Sequence, residues 1–63
     1  MFRIEMNYGD FSIFKDTKKE DEVVFMFNEV FHNDKDAKEI KIYEKIKDFY
    51  TLVARKNKNT IGF

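Results

Sequence analysis

Glu22-Val23-Val24-Phe25-Met26-Phe27-Asn28-Glu29-Val30-Phe31 is the stretch on which the architecture of this 63-residue chain turns. Two readings compete for it. Val23, Val24, Phe27, Val30 and Phe31 stand at helical spacing, and Thr17 with Glu20 has the spacing of a capping box just upstream. Against a helix, Val, Phe and Asn are mediocre helix formers, and Phe25 and Met26 extend the apolar stripe nearly all the way round. The run Val23 to Phe27 is rich in the β-branched and aromatic side chains of a strand. Composition favours the strand, with Val23, Phe25 and Phe27 on one face, Val24 and Met26 on the other, and cover on both sides.

Towards the N-terminus, Phe2, Ile4 and Met6 alternate with Arg3, Glu5 and Asn7, the period-two pattern of a strand with one wet face. Gly9-Asp10 has turn chemistry, and Phe11, Ile13 and Phe14 resume the apolar pattern after it, so 2–8 and 11–15 form a hairpin. Asp16 to Glu22 is charged and is read as a surface connection. On the C-terminal side, Asn33 and Asp34 signal a turn. Ile42, Tyr43, Ile46, Phe49, Tyr50 and Val53 then fall on one side of a helical wheel. Asp36 and Glu39 have capping-box spacing, and Arg55, Lys56 and Lys58 suit the negative end of a helix dipole, with Asn57 and Asn59 as C-cap candidates. A helix over 36–56 follows. A rival parse makes Phe49 to Arg55 a strand pairing with Thr60 to Phe63, but it breaks the helical stripe.

The expected fold is a single α+β domain over 1–63. A three-stranded antiparallel sheet (about 2–8, 11–15 and 22–31) carries one long C-terminal helix (about 36–56), and 57–63 is a short tail. The alternative is a β-hairpin plus two helices.

A chain this short buries only about 60% of its unfolded surface, so it leans on large side chains or on a partner. Eight Phe and three Tyr supply the first. With no cysteine there is no disulfide, thiolate metal site or cysteine nucleophile. The N-terminus does not read as a secretory leader and no apolar run approaches a membrane span, so the expected location is the cytoplasm of a microbial or infected host cell. Residues 1–34 hold four Lys/Arg against eight Asp/Glu, and residues 35–63 hold eight against four. The abundance of Lys, Asn, Ile, Phe and Tyr, favoured by AT-rich codons, points to a low-GC microbe, its phages or its mobile elements.

Catalytic chemistry finds little footing. His32 is the only histidine, and Glu29 and Asp34 beside it do not make a metal-ligand spacing. Asp34-Lys35-Asp36 opens like a calcium loop, but the glycine and the distal glutamate are not in their places. Ser12 has no glycine elbow and no second histidine for a triad, and Glu44 with Asp48 reads as a solvated face. The only glycines, Gly9 and Gly62, form no phosphate loop. No catalytic residue, metal or cofactor is expected.

Two surfaces remain as binding candidates. On the helical wheel Lys38, Lys41, Lys45 and Lys56 gather with Leu52 on one flank of the apolar stripe; they suit a phosphate backbone or an acidic protein, or they simply solvate the helix. Eleven rings are also more than so small a core hides, which leaves Tyr8, Phe11, Phe14, Phe31 and Phe63 as a candidate exposed aromatic surface. The functional expectation is therefore a small non-enzymatic interaction protein that binds, and inhibits or modulates, a larger protein, as a phage or mobile-element accessory inhibitor of a host enzyme such as a nuclease would, and that can form a homodimer. The alternative is a small nucleic-acid-binding module using the lysine flank.

Overall fold

The computed structural model describes residues 1–58; the terminal 59–63, and with them Phe63, lie outside the described residues. Strands β1 (Phe2–Asn7) and β2 (Ser12–Thr17) form the expected N-terminal hairpin. Gly9, at φ 96°, and the bond from the Tyr8 N–H to the Phe11 carbonyl (2.8 Å) close its turn. A positive φ at this position is what glycine supplies without steric cost.

The deciding stretch is a helix. Helix α1 (20–33) runs as α-helix over Glu20–Phe25, widens to a π-helical turn over Met26–Val30 and finishes over Phe31–Asn33. The 3.6-residue spacing of its apolar side chains overrides their weak propensity, because one flank is enough to fill the core: Val23 and Phe31 are buried, and Met26, Phe27 and Val30 pack against the same cluster. Glu20, Asp21 and Glu22 crowd the first turn, where the helix dipole favours negative charge. Thr17 makes no capping box. Its hydroxyl accepts from the Lys19 N–H (3.1 Å), and the chain enters the helix without a side-chain cap.

The stretch expected as a long helix is instead a hairpin, β3 (Glu39–Ile46) and β4 (Phe49–Asn57), so the C-terminal helix over 36–56 is replaced by two strands. The expected capping box at Asp36 is likewise absent. Asp34 accepts from the Asp36 N–H (3.0 Å) and shapes the loop into β3. The four strands form one antiparallel sheet in the order β2-β1-β3-β4, so this is a small α+β fold with four strands rather than three and a mid-chain helix. β4 is paired to β3; the strand assigned to Phe49–Arg55 in the rival parse exists, and Thr60 to Phe63, its partner in that parse, lie outside the described residues.

Register sorts the side chains. Ile4 opposes Ile42, and Met6 opposes Ile40, all four on the face that α1 covers; with Val23, Phe31 and Ala37 they make the core. The other face of the sheet has no layer over it among the described residues. A bulge between Ile42 and Tyr43 in the β3–β4 register puts Ala54 opposite Ile42 but Leu52 opposite Tyr43, leaving Val53 as the extra residue.

Candidate functional site

Cross-strand partners share a face of a sheet, so the register defines the open side row by row. One row is Phe14, Glu5, Lys41 and Arg55 across β2, β1, β3 and β4. The next is Asp16, Arg3, Tyr43 and Leu52, and beyond the end of β1 lie Lys45 and Tyr50. Phe14 is 57% exposed, Leu52 45% and Tyr50 38%, although each would be a core residue by type. Aromatic and apolar side chains thus stand in solvent among cations.

The face is ordered by polar contacts. Arg3 donates two bonds to Asp16 (2.7 and 3.0 Å), and its guanidinium lies 4.4 Å from the centre of the Tyr50 ring. That bidentate bond holds the Asp16 carboxyl below its ordinary pKa. Glu5 accepts from the Tyr43 hydroxyl (3.0 Å) and the Ser12 hydroxyl (3.1 Å). Burial, then the bond to Glu5, raises the Tyr43 pKa, so its hydroxyl stays protonated as a donor. Glu39 lies 3.9 Å from Lys41 and 3.6 Å from Arg55. Arg3, Phe14, Tyr43 and Tyr50 line a shallow cleft of about 200 Å³. The three acids of the face are therefore engaged with side chains of the face itself.

The expected lysine flank divides. Lys41, Lys45 and Leu52 do share the open face, for a reason the helical wheel did not supply: odd positions of β3 point the same way, and Leu52 is paired to one of them, Tyr43. Lys56 pairs with Ile40 on the helix-covered side, its ammonium 4.4 Å from the Phe27 ring centre and 5.9 Å from that of Phe31. Lys38 is exposed in the loop before β3, beside Gly9. A ridge of four lysines does not form because a strand alternates faces where a helix would have collected them.

The expected aromatic surface also divides. Phe11 is exposed and stacked on half-buried Tyr8 at 5.1 Å, next to the N-terminal turn. Phe14 belongs to the open face. Phe31 is fully buried, contrary to expectation, because it lies on the inward flank of α1. Phe63 is outside the described residues.

Sequence reading missed Arg3, Tyr43, Tyr50 and Arg55 as members of one surface. The signal was the alternation Ile40-Lys41-Ile42-Tyr43, which sends two isoleucines inward and the intervening residues outward. His32 is exposed near the end of α1, and the pair Glu44 and Asp48 lies on β3 and in the turn after it. In comparisons with known proteins the chain matches no family model, no curated protein and no solved structure.

Proposed function

We propose that this chain is a non-catalytic binding protein that covers a surface of a larger macromolecule with the open face of its sheet, and inhibits or modulates that macromolecule by occupying it. The observation that carries this reading is the one-sided cover of the sheet. α1 covers the middle of one face, leaving Ile13, Ile46 and Phe49 exposed at its margins, while on the uncovered face Phe14, Tyr50 and Leu52 stand exposed between Arg3, Lys41, Lys45 and Arg55. Exposed rings set among acids that already have partners on the face form a ready contact surface, because docking on it desolvates apolar area without stranding a carboxylate. The abundance of Lys, Asn, Ile, Phe and Tyr agrees with an accessory protein of a phage or mobile element directed at a component of its host.

A photo-reactive residue tests the reading directly. Placed at Leu52, it is expected to capture a macromolecule in the cell that makes the protein; placed at exposed Asp21 in the first turn of α1, it is expected to capture none. The reverse pattern overturns the proposal.

A further inference from the structure

We infer that the open face binds single-stranded nucleic acid, through a strip that runs along the β3–β4 hairpin from Arg55 and Lys41, past Tyr43 and Leu52, to Lys45 and Tyr50. This inference rests on the open face being the working surface and adds the class of ligand.

Three observations carry it. First, the strip alternates: a row of two cations (Lys41, Arg55), a row of a ring and an aliphatic side chain (Tyr43, Leu52), then a cation with a ring (Lys45, Tyr50). Successive rows are about 6.8 Å apart, so the cation rows at 41 and 45 stand about 13.6 Å apart, roughly two nucleotides of an extended strand, with apolar surface between them. Stacking platforms for single strands combine these two elements, a basic track and aromatic faces that accept any base. Second, the charge of the molecule is polarised between helix and hairpin. α1 carries four acids and no lysine or arginine, whereas residues 39–58 carry six cations against three acids, a difference of +3 on the hairpin. Lys56 and Lys58 of that count lie over rings of α1, so a polyanion approaching the open face meets Arg3, Lys41, Lys45 and Arg55 against Glu5, Asp16 and Glu39, an excess of one cation. Third, the make-up of the strip argues against a protein partner. The centre of a protein–protein interface is depleted in lysine, yet Lys41 and Lys45 are interleaved with the rings. Lysines in that position suit phosphate oxygens, which need only a mobile point charge.

The acids of the face bound the affinity. Glu5, Asp16 and Glu39 share the surface with Arg3, Lys41, Lys45 and Arg55, and Arg3 is held by Asp16. Lys41 and Arg55 share Glu39 at 3.9 and 3.6 Å, contacts long enough to be exchanged for phosphate, and with Lys45 they are the three cations the strip offers. Three contacts correspond to a slope of log affinity on log salt of about −2, or roughly twentyfold weaker binding between about 50 and 200 mM salt. Duplex DNA presents no base faces for Tyr50 and Leu52, so single strands are preferred.

The test is a titration of the 1–63 chain with a labelled short oligothymidylate, read by fluorescence anisotropy and by quenching of the intrinsic tyrosines, with a duplex of the same length as competitor. The expected result is binding of the single strand with the stated salt dependence, at least tenfold weaker binding of the duplex, and quenching on saturation. Lys45→Glu is expected to weaken binding about tenfold and flatten the salt slope, and Leu52→Ala to weaken it severalfold at unchanged slope. Both substitutions are at surface positions, and circular dichroism checks that each variant is folded. Equal affinity for duplex and single strand with no effect of Leu52→Ala overturns the stacking strip. No binding of any single strand by the folded wild type at low salt overturns the nucleic-acid inference; if the residue at position 52 then captures a protein, the open-face proposal stands without it.

Discussion

Lys47 occupies the left-handed region, at φ 58°, in the two-residue turn between β3 and β4. A side chain there crowds its own backbone at a cost of about 1–2 kcal/mol, whereas glycine carries only its extra unfolded-state entropy, about 0.5–1 kcal/mol. Lys47→Gly is therefore expected to stabilise the protein by about 0.5 kcal/mol, measured as a higher urea midpoint; a lower midpoint contradicts the turn geometry. Tyr8 and Asp34 provide a second test at this scale. The bond Tyr8 donates to Asp34 (2.7 Å), followed by burial, pushes its pKa up to about 12, while the same bond and the Asp36 N–H hold the Asp34 pKa below its ordinary value. A raised tyrosine stabilises the fold below its ordinary pKa of 10.0 and loses that contribution as pH climbs through about 12. A depressed carboxylate acts oppositely: its contribution is present above the ordinary carboxylate pKa and disappears as pH falls through the lowered one. Tyr8→Phe is accordingly expected to lower thermal stability at neutral pH and to flatten its decline at both extremes. Tyr43, raised by burial, sustains some alkaline dependence, and Asp16 and Glu22 some acid dependence. Unchanged pH profiles in the variant would show that the Tyr8–Asp34 bond does not form in solution.

At the scale of elements, the two halves of the chain were legible to different degrees, and for opposite reasons. β1 and β2 follow from clean alternation around a glycine turn. For α1, spacing pointed to a helix and propensity to a strand; spacing prevailed because the helix needs only one buried flank, and a long side chain such as Phe25 can remain 58% exposed. Over β3 and β4 the ambiguity lies in the numbers. Ile42, Ile46 and Tyr50 recur every four residues, which is near one helical turn and also an even number of strand steps. The turn that splits the stretch, Lys47-Asp48, lacks the glycine or asparagine that would announce it. The bulge at Val53 then shifts the alternation in β4 by one position and erases a single strand phase across 49–57. A pair of substitutions separates the readings of α1. Phe31→Ala removes a fully buried ring and is expected to cost about 3–5 kcal/mol, enough to unfold a domain of this size. Phe25→Ser is expected to change stability by less than about 0.5 kcal/mol, as at most surface sites. Had 22–31 been a central strand, Phe25 would share a buried face with Val23 and Phe27, and its loss would be severe. Denaturant melts of the two variants report which holds.

For the molecule as a whole, helix and hairpin carry opposite net charge. The acidic stretch that looked like a connection leads into a helix without lysine or arginine, and the basic half of the sequence folds into the β3–β4 hairpin, so the contrast in sequence becomes one between the helix and one half of the sheet. Part of the candidate site was visible in the sequence as Lys41, Lys45, Leu52 and Phe14. The rest was hidden because a surface made of one residue from each of several strands exists only once register is known. Arg3 and Tyr50 are 47 positions apart in the chain and 4.4 Å apart in the fold. The most direct test of the account is a backbone amide shift map of the isotopically labelled protein on addition of oligothymidylate. The perturbed amides are expected to cluster at 41–45 and 50–55 with Arg3 and Phe14, leaving 20–33 unmoved; shifts concentrated on the helix, or none at saturating oligonucleotide, would contradict binding by the open face.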